Sequence, residues 1–118
     1  MGIQKFEDLI AWQKAQDLSV FIYQSFEDLK DYSFKDQIRR ASVSISNNIA
    51  EGFDRSSNAD FSRFLYFSIG SASELKSMLY LAAKLNYLSQ EEFDKLIYRT
   101  NEVSKILRGL INSLKTHP

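Results

Sequence analysis

Cysteine is absent from this chain of 118 residues, which excludes disulfide bonds and thiolate metal sites and is typical of a reducing compartment. Proline occurs once, as Pro118, and glycine four times, so little interrupts regular structure. Long hydrophobic runs are also lacking, and the N-terminus has no basic region followed by an apolar segment, so we expect neither a membrane span nor a signal peptide. These absences predict a cytoplasmic protein built from uninterrupted helices.

Net charge is lacking too, because 15 basic side chains balance 15 acidic ones. Composition alone therefore gives no indication of nucleic-acid binding. The charges are unevenly placed, however: residues 1–31 hold three basic and six acidic side chains (net −3), and residues 95–115 hold five basic and one acidic (net +4). Two interpretations stay open, an attraction between the first and last helices or a basic stripe for a phosphate backbone. The second rests on four candidate nucleic-acid-binding residues: Arg99, Lys105, Arg108 and Lys115.

Helix signals divide the chain into four segments, at about 6–30, 34–52, 58–86 and 90–115. Gly52 stands where a helix would end in the left-handed conformation. Short connections favour antiparallel neighbours. The predicted fold class is therefore all-α, a single domain over residues 1–118 that forms an antiparallel up-down-up-down four-helix bundle. Three Ser-x-x-acid capping boxes mark the predicted helix starts: Ser33 with Asp36, Ser57 with Asp60, and Ser89 with Glu92.

Apolar residues are more numerous than one small bundle can bury. The third helix alone carries two apolar seams, one beginning at Phe61 and the other at Phe64. Aromatic side chains in such numbers are typical of subunit interfaces, whereas scattered exposure is the alternative. We therefore expect self-association. Seven further large side chains cannot all point at one core: Phe21, Phe26, Tyr66, Phe67, Ile69, Tyr80 and Ile97.

A polar seam runs along the second helix beside an apolar one, and Glu74 follows on the third helix. Because a buried charge is tolerated only when it is paired, we expect these residues to bond to one another between the two helices. The expected structural network consists of Gln37, Arg40, Asn48, Glu51 and Glu74.

An alternative function is a metal- or small-molecule-binding bundle that uses Glu51 and Glu74. Carboxylate-bridged metal bundles also need histidines on their helices, and the one histidine here is His117, in the C-terminal tail. No nucleophile stands near a base, so we predict no catalytic residue and no enzyme activity. The sequence likewise predicts no metal site and no cofactor.

Three sequence blocks resemble a bacterial four-helix bundle family: residues 6–15 (FEDLIAWQKA), 37–52 (from QIRRA to NIAEG) and 70–75 (GSASEL). Some members of that family are encoded in intervening sequences inside large-subunit ribosomal RNA genes. A related branch includes the accessory variability determinant of diversity-generating retroelements. The resemblance covers nearly the whole chain, and the order of the three blocks makes it specific.

The resemblance implies a four-helix bundle that assembles into a ring-like homopentamer without enzymatic activity. For the retroelement branch it also implies binding of nucleic acid and of a reverse transcriptase through a strongly basic barrel. This chain is neutral where that branch is basic, which weakens the expectation of tight nucleic-acid binding. We therefore expect a homopentameric scaffold or adaptor whose partners are its own copies and either nucleic acid or a reverse-transcriptase-like protein.

Overall fold

Four α-helices make up the chain in a computed structural model that describes residues 2–116, with side chains through Lys115. A short 3-10 turn, Phe6–Asp8, precedes the first helix. Residues 2–116 contain no strand, so the prediction of an all-α fold is confirmed. His117 lies outside the described residues. The helices are α1 (Ile10–Ser25), α2 (Tyr32–Phe53), α3 (Asn58–Lys84) and α4 (Gln90–Thr116).

Each helix packs against two others: α1 and α3 both contact α2 and α4. The bundle measures 46 × 21 × 20 Å, and α3 and α4, at 27 residues each, run along most of its length. The connections are short, so consecutive helices run antiparallel. The predicted up-down-up-down four-helix bundle is confirmed.

The core is formed by one apolar face from each helix. Side chains at three- and four-residue spacing, such as Ile38, Ile45 and Ile49 on α2, are fully buried. Among the described residues, four of the five buried hydroxyl groups are hydrogen-bonded, as buried polar atoms usually are, and Ser19 is the exception. The Ser68 hydroxyl on α3 donates to the Ile45 carbonyl of α2 at 2.8 Å, and this bond joins the two helices at mid-length.

At two of the three predicted capping boxes the serine caps its helix, and one of these boxes is complete. The Ser57 hydroxyl accepts from the Asp60 amide at 3.1 Å, and the Ser89 hydroxyl accepts from the Glu92 amide at the same distance. The Glu92 carboxylate also accepts from the Ser89 amide, which completes that box. Each bond satisfies an amide that the first turn of a helix leaves unpaired.

The predicted cap at Ser33 is wrong, because α2 begins earlier and Asp31 caps it instead. The Asp31 carboxylate accepts from the Phe34 amide at 3.2 Å. Its other oxygen accepts from the Tyr87 hydroxyl at 2.7 Å, which ties the α1–α2 connection to the α3–α4 connection. This hydrogen bond, aided by desolvation and by the nearby carboxylate charge, raises the pKa of Tyr87 above its ordinary value.

The prediction that Gly52 ends a helix in the left-handed conformation is also wrong. No described glycine has a positive φ, and Gly52 is buried inside α2. A Cβ atom there would lie 2.6 Å from the Cβ atom of Phe64, so glycine is needed for the close approach of α2 and α3. The left-handed residue is Asn86, with φ 61°, just after α3.

Candidate functional site

The four basic candidates on α4 do not form one cluster. Lys105 and Arg108 line an open groove of about 740 Å³ between α3 and α4. Lys115 is exposed in the last turn of α4 and does not line that groove. Arg99 is half-buried, and its guanidinium stacks over the Phe21 ring of α1 at 3.8 Å. Arg99 is therefore engaged in packing, which leaves Lys105 and Arg108 as the two candidates that share a groove.

Two further side chains that line this groove were not among the candidate site residues predicted from the sequence. Lys76 enters it from α3, and Tyr98 stands on α4 with 71% of its surface exposed. A spacing of seven residues places Tyr98 and Lys105 on one face of α4, and that signal was readable in the sequence. The position of Lys76 was not readable, because it depends on the register between α3 and α4.

The groove is not purely basic, since Glu102 also lines it. The Glu102 carboxylate lies 3.9 Å from the Lys14 ammonium of α1. This is an attraction between the first and last helices, as one interpretation of the charge distribution predicts, although here the first helix supplies the cation. With Lys76, Lys105 and Arg108 against one carboxylate, the groove still carries a net positive charge.

The expected polar network is not assembled within one chain. Gln37, Arg40, Glu51 and Glu74 are all exposed, and in the described part of the chain no hydrogen bond or ion pair joins them. Asn48 is half-buried, and its amide donates to the backbone carbonyl of a residue on its own helix at 2.9 Å.

Small hydroxyl side chains take the place of this network at the helix contact. The hydroxyl groups of Ser44 on α2 and Ser71 on α3 lie 2.9 Å apart. Because these short side chains fill the space between the helices, the longer polar side chains beside them point outward. An open groove of about 480 Å³ runs along α2, flanked by Tyr23 of α1, and three of these side chains border it: Arg40, Asn48 and Glu51. The polar seam of α2 therefore lies on the surface of the single chain.

Glu51 and Glu74, the residues of the metal-binding alternative, are among these exposed side chains. Over the residues that the structure describes, no three histidine, cysteine or carboxylate side chains come together in a way that would hold a metal ion.

Large apolar side chains are exposed along several helices, most of all on α3. Of the seven side chains predicted not to fit all together in one core, Tyr66, Phe67 and Tyr80 are exposed, whereas Phe26 and Ile69 are buried in the core. The other two, Phe21 and Ile97, are half-buried against the core. Leu85 is exposed directly after the last residue of α3, and four exposed large apolar residues lie on α3 itself: Tyr66, Phe67, Tyr80 and Leu81.

A family model for the 23S rRNA-intervening sequence proteins matches residues 7–109. The chain belongs to this family. The match covers α1 and most of the remaining bundle, including the α2 seam and the α3–α4 groove. No curated protein matches the sequence.

A solved structure gives a second comparison. It is a protein of unknown function from the S23 ribosomal protein family of Bacteroides thetaiotaomicron VPI-5482, with a TM-score of 0.81 and 26% sequence identity. The similarity covers 86% of this chain and 98% of the other. Neither the family match nor this neighbour indicates an enzyme family. Among the described residues, no helix is long and apolar enough to span a membrane.

Proposed function

We propose that this protein is a non-enzymatic scaffold that assembles with copies of itself in the bacterial cytoplasm. The observation that carries this proposal is the exposure of four aromatic and aliphatic side chains on α3. Large exposed apolar surfaces on soluble proteins mark interaction sites, because leaving them in water forgoes about 25 cal/mol for each Å². The absence of cysteine supports a reducing compartment.

The proposed assembly is a homopentamer, which is the arrangement that the family resemblance implies. Native mass spectrometry tests the number of copies directly. The expected mass is five times the 13.7 kDa of one chain. A single peak at the mass of one chain would contradict the scaffold, and a different multiple would contradict the pentamer alone.

We further propose that the scaffold acts as an adaptor that contacts nucleic acid, or a nucleic-acid-associated protein of the reverse-transcriptase kind, through the α3–α4 groove. Three cations line it, and the exposed Tyr98 ring offers a face on which a base can stack. One groove neutralises few phosphates, but repetition around a ring multiplies the contacts. This compensates for the zero net charge of the single chain.

Replacing Lys105 and Arg108 together with glutamate is expected to weaken binding to a single-stranded oligonucleotide by about tenfold or more at low salt, because phosphate contacts are lost and repulsion is added. A gel shift over a series of salt concentrations measures this. Arg99 is left unchanged, since its replacement would also disturb its stacking on Phe21.

The matched control is the double variant Lys5→Glu with Lys30→Glu. It makes the same change in charge at two exposed positions outside the groove. Equal weakening by both double variants would show that binding follows overall charge and not the groove. No shift of the unaltered protein at low salt would contradict the nucleic-acid contact itself.

A further inference from the structure

Two exposed stripes run along neighbouring helices. The members of each recur at three- and four-residue spacing, so each stripe forms one continuous helix face. Every member is exposed except Ser44, which is half-buried. The α2 stripe consists of Gln37, Arg40, Ser44, Asn47 and Glu51. The α3 stripe consists of Arg63, Phe67, Gly70, Glu74, Ser77 and Leu81.

The charges on the two stripes are complementary in spacing and in sign. Arg40 and Glu51 are eleven residues apart on α2, and Arg63 and Glu74 are eleven apart on α3, or about 16 Å along each helix. Antiparallel alignment places Arg40 opposite Glu74 and Glu51 opposite Arg63, whereas parallel alignment opposes like charges. Arg63 already bonds to Asp60, yet its side chain stays 56% exposed and has donors for a second carboxylate.

Within a single chain, the opposite charges of the two stripes do not pair with each other. Arg40 and Glu74 each lie one helical turn beyond the contact between Ser44 and Ser71, on the same side of it. They nevertheless form no ion pair with each other. Both charges are therefore available to a partner that approaches the outer surface of the bundle.

Gly70, at the centre of the α3 stripe, has open space around it. A Cβ atom at this position would meet nothing within 4 Å. Glycine inside a helix is unfavourable by about 1 kcal/mol relative to alanine, and packing within this chain does not require it here. The antiparallel alignment places Gly70 opposite Ser44, so two helix backbones can approach closely at that point.

We propose that the α3 stripe of one copy docks on the α2 stripe of a second copy in antiparallel orientation, with Arg40 paired to Glu74 and Glu51 paired to Arg63 across the contact. This inference rests on the proposed self-association and adds the two faces and their orientation. A contact in which each copy uses a different face is heterologous, and its repetition forms a ring when the rotation between copies closes. Docking also covers Phe67, which is 48% exposed in the single chain.

The first test replaces Gly70 with leucine and measures mass by light scattering at several concentrations. Gly70 is exposed and a Cβ atom there meets no atom of its own chain within 4 Å, so we expect the fold to be retained while the leucine side chain blocks the approach of a second copy. The apparent dissociation constant of the assembly is expected to rise by about tenfold or more. Gly109→Leu is the matched control, because Gly109 of α4 also has open space and lies outside both stripes. It is expected to leave the assembly intact.

The second test reverses the charges. Arg40→Glu and Glu74→Arg are each expected to weaken assembly by about tenfold or more, and the double variant is expected to restore most of the loss. If the unaltered protein assembles and the Gly70→Leu variant assembles equally well, the docking inference is overturned, but the proposed scaffold is not. A double variant that assembles as weakly as the single variants would overturn the Arg40–Glu74 pairing. A monomeric unaltered protein would remove both the inference and the scaffold on which it rests.

Discussion

Replacing Phe26 with alanine is expected to lower the free energy of unfolding by about 3–5 kcal/mol, the range for deleting a buried aromatic side chain. Phe26 is 1% exposed and is among the largest fully buried side chains of the described chain. Its ring packs against Phe34 with 6.1 Å between ring centroids, at the end of the bundle where α1 turns into α2. Deleting the ring leaves a cavity that the surrounding helices cannot fill. Urea unfolding followed by circular dichroism measures the change.

Phe67→Ala is the matched control for Phe26→Ala, because it deletes the same ring from an exposed position. We expect it to change the stability of the isolated chain by less than about 1 kcal/mol, since exposed positions contribute little. If both variants lose the same unfolding free energy under conditions that keep the chain monomeric, the placement of Phe26 in the core and Phe67 on the surface is contradicted.

Gly52→Ala is expected to destabilise the bundle by about 1–3 kcal/mol, as overpacking in a close-packed interior does. The new Cβ atom would lie 2.6 Å from the Cβ atom of Phe64 and 3.3 Å from the backbone oxygen of Phe61. Neither atom is the end of a flexible side chain, so relief requires α2 and α3 to separate. Thermal or urea unfolding of the variant measures the loss.

Gly109→Ala makes the same chemical change where nothing lies within 4 Å of the new atom. Alanine is the better helix former, so this variant is expected to gain about 0.5–1 kcal/mol in stability. We therefore expect the two glycine variants to change the free energy of unfolding in opposite directions. A Gly52→Ala protein as stable as the unaltered one would show that the two helices do not approach as closely as the structure has them.

The fold class and the four-helix order could be predicted from the sequence, because scarce breakers and strong three-four periodicity are local signals. The predicted helix boundaries were less accurate where the capping residue is selected by contacts with residues distant in the sequence. Asp31 and Ser33 are both good capping residues, and the Tyr87 hydroxyl, 56 positions away, bonds to Asp31. Phe26 was one of seven side chains that were predicted not to fit all together in one core, and it is buried because it lies in the turn just after α1 ends at Ser25.

The candidate surfaces were predictable only in part for the same reason. Periodicity placed Arg40 and Glu51 on one face of α2, but it did not show whether that face points inward or outward. The answer depended on Ser44 and Ser71, whose short side chains meet between the helices and leave the longer ones outside. Likewise, the stacking of Arg99 on Phe21 depends on how α1 and α4 pair, and the sequence of either helix alone does not reveal it.

Self-association is the claim on which the proposed scaffold and the proposed docking faces both depend. Sedimentation velocity of the unaltered protein, from low to high micromolar concentration, tests it most directly. We predict one boundary at a multiple of 13.7 kDa, because exposed side chains such as Phe67 and Leu81 are covered only when copies associate. A boundary at the mass of a single chain throughout that range would contradict the account.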